Sequence, residues 1–83
     1  MQNVTITAVS DSGWIKIYVD GNEVLGAPGS TTISLGTGTH DLDYYVQGSK
    51  GDTYRVSTSE PWDSGLIIMS GRHSGGGHEI IIP

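Results

Sequence analysis

Apolar and polar residues alternate in several short segments of this chain. Every second residue is apolar in segments 4–8, 13–19 and 41–47. This period of two is typical of β-strands that bury one face, and no long window shows the apolar spacing of a helix. We therefore predict seven short strands, at residues 4–8, 13–19, 32–35, 41–47, 53–59, 65–69 and 78–82.

Turn residues separate these strands and indicate how they connect. Asp20-Gly21 is typical of a two-residue hairpin turn, so we expect residues 23–25 to return beside 13–19. We interpret Ser74 to Gly77, SGGG, as a flexible hairpin loop or hinge. Short strands without a crossover helix predict antiparallel pairing. The predicted fold is all-β, a single antiparallel sandwich or small barrel over residues 1–83, because a chain of this length supports one core.

The alternation also predicts which side chains face outward. Leu42, Tyr44 and Val46 share one face of their strand and are predicted core, as are Ile15, Ile17 and Val19. If the two strands are neighbours, Lys16 can lie near Asp43 or Asp41. Their outward residues are the candidate binding residues Trp14, Lys16, Tyr18, Asp43 and Tyr45.

Three interpretations of this outward face stay open. Cross-strand pairs of this kind stabilise a sheet by about 0.2 to 1 kcal/mol each without any ligand. Alternatively, the aromatic rings form a platform for a sugar ring or a partner protein, since Trp and Tyr provide large rigid contact areas. Finally, a second chain or a neighbouring domain covers the face.

Two further segments have alternative interpretations. Trp62, in the loop segment SEPWDSG, either plugs the open end of a sandwich or forms a binding edge beside Asp63, and we include it among the candidate binding residues. The C-terminal segment EIIIP is apolar on both faces, which predicts a central strand. Otherwise it is an edge strand that pairs with another chain.

The segment from Ile17 to Gly48 contains two motifs with a family resemblance. Val19-Asp20-Gly21 ends a strand, and Leu35 to His40 reads L-G-T-G-T-H before an amphipathic strand. This pattern resembles the PEGA family of small immunoglobulin-like β-sandwich domains. The resemblance implies an immunoglobulin-like sandwich that acts as a non-catalytic module of a surface or envelope protein, and it supplies no active-site residues.

Charge and composition exclude several partners. The net charge is −5, and the four basic residues are dispersed, which argues against nucleic-acid binding. No apolar run approaches the roughly 20 residues that span a bilayer, so we expect no membrane insertion. The chain has no cysteine for a disulfide or a thiolate metal site. We expect an envelope or extracellular location if this is an excised domain, and a cytoplasmic one if it is full-length.

No arrangement of residues predicts catalysis or a cofactor. The chain lacks a G-x-S-x-G nucleophile motif and a P-loop. His73 and His78, with His40 or Glu79, make only a weak pattern for a metal site, and the acidic residues lack calcium-loop spacing. We predict no enzyme activity, no catalytic residues, no bound metal and no cofactor.

These observations favour a non-catalytic recognition or assembly module whose partner is a protein or a glycan. A homodimer is possible through the outward face. One alternative is a carbohydrate-binding module that uses Trp14, Trp62 and the tyrosines. The other is a small acidic inhibitor or antagonist that covers the basic groove of an enzyme, which predicts salt-sensitive binding.

Overall fold

The computed structural model describes residues 1–83 as nine strands and confirms the all-β prediction. The strands are β1 (Gln2–Ser10), β2 (Trp14–Val19), β3 (Asn22–Leu25), β4 (Gly29–Leu35), β5 (Gly38–Gln47), β6 (Thr53–Thr58), β7 (Trp62–Asp63), β8 (Ile67–Ile68) and β9 (His73–Ile82). The first sheet has the order β4-β1-β6, with β7 and β8 both paired to β6. The second sheet has the order β3-β2-β5-β9, and every pairing is antiparallel. Nowhere does the chain form a helix with the length and apolar character needed to traverse a membrane.

The core lies between the two sheets in a sandwich-like arrangement. The inward residues of the first sheet are Val4, Ile6 and Ala8 on β1 and Tyr54 and Val56 on β6. They belong to one core cluster with the inward residues of β2 and β5. As predicted, Ile15, Ile17 and Val19 are buried together with Leu42, Tyr44 and Val46. The period of two locates the core because each of these strands buries only one face.

The hairpin at Asp20-Gly21 forms as predicted. Both residues have positive φ, 52° at Asp20 and 82° at Gly21, as a two-residue hairpin turn requires. The returning strand β3 is short, and its register against β2 shifts between Ile17 and Tyr18. This irregularity ends the second sheet on that side with a short, distorted edge.

Two interpretations of the C-terminal region are wrong. The segment SGGG is neither a loop nor a hinge, because β9 runs without interruption from His73 to Ile82 and pairs with β5 along its whole length. The EIIIP segment is not central, because β9 is the last strand of the second sheet. Ile80 and Ile82 are buried, whereas Ile81 is 65% exposed on the outer face.

A tyrosine explains why glycines occupy the middle of β9. Gly76 lies directly opposite Tyr44, and the Tyr44 ring covers it from the core side. A Cβ atom at Gly76 would lie 2.5 Å from the Tyr44 hydroxyl oxygen and 2.7 Å from Cζ. The Tyr44 ring also packs edge-on against Tyr54, with ring centroids 5.9 Å apart, and lies 6.2 Å from the Trp62 ring, so a shift of the ring disturbs these contacts. The absent side chain at residue 76 therefore makes room for a core aromatic ring.

The outer face of the first sheet is lined by hydroxyl groups. Thr5 pairs with Thr32 and Thr7 with Ser30, each at an oxygen–oxygen distance of 2.9 Å. One step along, the Ser34 hydroxyl donates to the Asn3 side-chain oxygen over 2.7 Å. These cross-strand pairs satisfy one another, so the part of this face where β1 pairs with β4 is polar and internally bonded.

The fit of Tyr44 over Gly76 predicts the cost of adding one methyl group. Gly76→Ala should lower the free energy of unfolding by about 1 to 3 kcal/mol, because the buried ring must shift. The matched control is Gly71→Ala, since a Cβ atom there meets open space. Urea unfolding measures both variants, and equal stability of the two proteins would contradict this account.

Candidate functional site

The candidate site is built on the pairing of β2 with β5. Lys16 lies opposite Tyr45, Tyr18 opposite Asp43, and Trp14 opposite Gln47. Since opposite residues of a ladder point to the same side, the predicted outward residues share one surface. We call this surface, formed by Trp14, Lys16, Tyr18, Asp43 and Tyr45, the β2–β5 face.

Aromatic contacts hold the side chains of the β2–β5 face in place. The Tyr18 and Tyr45 rings meet edge to face, with centroids 5.7 Å apart and planes at 76°. The Lys16 Nζ atom lies 5.8 Å from the centre of the Trp14 ring. Tyr45 nevertheless remains 53% exposed and Trp14 36% exposed. Rings that are ordered before binding lose little side-chain entropy on contact with a partner.

Lys16 forms its ion pair with a residue that the sequence interpretation missed. Its Nζ atom lies 3.0 Å from Oε1 of Glu23 on β3, rather than pairing with Asp41 or Asp43. The hydrogen bond to Glu23 and its charge raise the pKa of Lys16. The two-residue turn places Glu23 opposite Tyr18 in regular register, on the same face as Lys16, and the register shifts only beyond that pair. The predicted hairpin was therefore the signal for this neighbour, whereas alternation along β2 alone could not indicate it.

The β5–β9 side of this face is open and acidic. Gly75 and Gly77 lie opposite Tyr45 and Asp43, so no side chain of β9 covers them. Beside these glycines lies an open depression of about 490 Å³, whose lining consists of Asp41, Leu42, Asp43, Gly77, His78 and Glu79. Asp41 lies directly opposite Glu79, and none of the three carboxylates forms an ion pair within the chain. We call this region the acidic depression.

An ion pair fixes the end of β2 and β5. The Asp20 carboxylate accepts a hydrogen bond from Nδ1 of His40 over 2.7 Å and another from the Asp41 N–H over 2.9 Å. The other ring nitrogen, Nε2, donates to the Gly36 carbonyl over 2.8 Å. Because both partners of the ring are acceptors, this geometry favours the imidazolium form, which has a proton on each ring nitrogen. Asp20 and then Gly36 raise the pKa of His40, and His40 lowers the pKa of Asp20.

Trp62 lies away from the β2–β5 face. It packs against the core, and its ring is stacked on His78, with centroids 4.4 Å apart and planes at 8°. His78 Nε2 is hydrogen-bonded to Glu60 Oε1, and Glu60 also accepts from the Thr58 hydroxyl. These contacts are on the inner side of β9. The structure brings five of the six candidate binding residues together and leaves Trp62 apart from them.

The residues considered for a metal site are separated. His73 and His78 are both on β9, but their odd and even positions direct them to opposite faces. His40 is already bonded to Asp20 and Gly36. No three His, Cys, Asp or Glu side chains are grouped closely enough to hold a metal ion.

Comparisons with known proteins assign no relative to this chain. No family model matches it, and no curated protein or solved structure matches it significantly. We therefore infer a function from the geometry of the β2–β5 face and of the acidic depression beside it.

The contacts of the two tryptophans predict different effects of their removal. Trp62→Ala should lower the free energy of unfolding by about 2 to 3 kcal/mol, because the ring contacts His78 and Tyr44. Trp14→Ala should cost less than about 1 kcal/mol, as is usual for an outward residue. Urea unfolding of the two variants measures this difference, and a larger loss at Trp14 would contradict the assignment.

The Asp20–His40 pair predicts a pH window of stability. The contribution of His40 is complete below about pH 6.5 and is lost as the pH rises through its raised pKa. The contribution of Asp20 is complete above about pH 3.8 and is lost as the pH falls through its lowered pKa. Asp20→Asn keeps a residue that tolerates the left-handed backbone and removes the charge. The melting temperature of the wild type should exceed that of Asp20→Asn most between those two pH values, and a pH-independent difference would contradict the pair.

Proposed function

We propose that this protein is a non-catalytic recognition or assembly module that binds a protein partner through the β2–β5 face. The observation that carries the proposal is the half-exposed Tyr45 ring, held edge-on by Tyr18 and left uncovered by Gly75. An exposed, ordered aromatic ring at the centre of a surface is typical of the residues that dominate binding energy. Trp14 and Lys16 extend the same surface along β2.

A second candidate function has one specific observation in its favour. The three carboxylates of the acidic depression have no cation partner within the chain, and the whole chain has a net charge of −5. An acidic antagonist of a cationic protein would use this charge to accelerate and orient association. The carbohydrate-binding alternative stays a prediction, but its two tryptophans do not share a surface.

The immunoglobulin-like, PEGA-related identity is part of the proposal. One contact supports it, because the two motifs that carry the resemblance meet in the structure. Asp20 of the V-D-G motif binds the ring of His40, the last residue of L-G-T-G-T-H, and the same ring binds Gly36 within that second motif. This contact gives the two motifs one structural role, which is to hold the end of β2 to the start of β5. We propose a surface or envelope protein as the context of such a module.

The β2–β5 face is tested by removing its two most exposed rings. Trp14→Ser with Tyr45→Ser should weaken binding of a protein partner at least about tenfold, because such rings carry much of an interface's energy. The control is Val9→Ser with Ile68→Ser, which removes two exposed apolar side chains, 62% and 68% exposed, from the first sheet. The three proteins are used as baits in a host extract, and each captured protein is then purified and titrated by calorimetry.

The outcome distinguishes the candidate functions. A purified partner that loses affinity only for the Trp14 and Tyr45 variant supports the β2–β5 face. A partner that binds all three baits equally contradicts it. Binding of soluble polysaccharides that the same double variant abolishes would replace the protein partner with a glycan.

A further inference from the structure

The two sheets expose edges of very different character. On the first sheet, β7 and β8 have two residues each, and β4 has seven. On the second sheet, β3 has four residues and a register shift, whereas β9 has ten residues in an unbroken register with β5. Proteins usually protect edge strands by keeping them short, distorted or charged. The β9 edge is the longest in the molecule and has no bulge.

The free edge of β9 is formed by backbone groups of its odd-numbered residues. The Gly48 N–H donates to the Arg72 carbonyl over 2.9 Å, next to the first ladder pair of Gln47 with His73. Hydrogen-bonded and non-hydrogen-bonded pairs alternate along an antiparallel ladder, so His73 begins the non-bonded set. The residues whose N–H and C=O groups point away from β5 are therefore His73, Gly75, Gly77, Glu79 and Ile81.

A second hydrogen bond agrees with this alternation. The Asp20 N–H donates to the Asp41 carbonyl over 2.8 Å, so Asp41 directs its backbone toward β2 and not toward Glu79 opposite it. No backbone hydrogen bond outside the ladders involves the odd-numbered residues of β9. Gly75 and Gly77 are exposed and carry no side chain that could shield their backbone groups. The middle of this edge is therefore ready to pair with another strand.

We propose that the free edge of β9 is a strand-addition site for an extended cationic segment of a partner protein. A strand added there hydrogen-bonds to the odd-numbered residues, and every second side chain of it points to the outer face. Those side chains lie beside Gly75 and Gly77, next to the acidic depression. Lys or Arg at these positions would pair with the carboxylates of Asp41, Asp43 and Glu79, which have no cation partner in the chain.

Charge favours a foreign segment over a second copy of this chain. A symmetric pair of β9 edges about Gly77 would satisfy the same backbone groups. However, it would place two acidic depressions on one continuous face and join two chains that each have a net charge of −5. The two acidic regions repel each other at low salt, because the Debye length is about 30 Å at 0.01 M ionic strength and shortens to about 8 Å at 0.15 M. A cationic segment removes this repulsion and supplies the absent counter-charges.

The strand-addition site shares Asp43 with the β2–β5 face, but the hydrogen bonds that define it are made by the backbone of β9. The two sites are adjacent, but an experiment can exclude binding at one of them without excluding binding at the other. Binding to the β2–β5 face changes the environment of Tyr18 and Tyr45. Binding to the edge changes the hydrogen exchange of backbone amides on β9.

The test measures amide hydrogen exchange by NMR with a model strand as the probe. Uniformly ¹⁵N-labelled protein is titrated with a capped heptapeptide of alternating Lys and Val at low salt. At nine-tenths occupancy, exchange at the amides of Gly75, Gly77 and Glu79 should become about tenfold slower, because only the free form exchanges. The amides of Gly76 and His78 are internal controls, since the alternation already pairs them with β5.

Two matched comparisons test the charge. A heptapeptide of alternating Glu and Val should not protect these amides. Glu79→Gln combined with Asp43→Asn should weaken binding of the Lys-Val peptide about five- to thirtyfold, the effect of two charge pairs of roughly 0.5 to 1 kcal/mol each. Asp52→Asn removes a carboxylate outside the acidic depression and should have less effect.

Four results would overturn the proposal. They are no binding of the Lys-Val peptide, binding without protection of the three odd-numbered amides, equal binding of the Glu-Val peptide, and protection that grows with protein concentration alone. The last result, with a dimer mass in sedimentation, would assign the edge to a second copy. Tyr18 and Tyr45 shifts without amide protection would leave the β2–β5 face as the binding surface and exclude the edge.

Discussion

The packing of the Tyr44 ring over Gly76 is the contact on which the second sheet depends. The ring fills the core beneath β9 and removes the need for a side chain there, so a glycine-rich segment becomes an ordered strand. Because β9 is ordered, β5 has a neighbour on both sides and the second sheet has its fourth strand. On the opposite face, the flanking Gly75 and Gly77 leave Tyr45 and Asp43 uncovered. The run of three glycines thus makes room for a core ring on one face and opens the surface that we assign to recognition on the other.

The alternating segments were predictable because strands with one buried face report their environment in their own sequence. Ile15, Ile17 and Val19, with Leu42, Tyr44 and Val46, lie where the period of two placed them. Glycine has no side chain to bury or expose, so residues 75–77 carry no such pattern and resembled a loop. The three final isoleucines led to the wrong prediction of a central strand. An apolar run is typical of a strand buried on both faces, whereas Ile81 is exposed on an edge strand.

Side chains of the site were predictable only where regular pairing determined them. Five candidate binding residues share one surface because β2 and β5 are neighbouring strands that pair in an unbroken register. The partner of Lys16 was missed because alternation along β2 and β5 does not show the neighbour on β3, although the predicted hairpin at Asp20-Gly21 places Glu23 on the same face. Trp62 lies in a short irregular element whose direction follows from tertiary contacts with His78 and Tyr44. Sequence periodicity therefore identifies a surface, whereas tertiary packing selects the residues around it.

The hydroxyl-lined outer face of the first sheet has a consequence for how the molecule meets others. Its Thr and Ser side chains bond to one another across the strands, and the one ion pair there, between Arg55 and Asp63, is internally neutral. The unpaired carboxylates of Asp41, Asp43 and Glu79 all belong to the other sheet. The domain therefore carries more unpaired acidic charge on the outer face of its second sheet than on that of its first. In the field of a positively charged surface it turns its acidic side forward before any contact is made, so each productive encounter starts from an orientation already selected by charge.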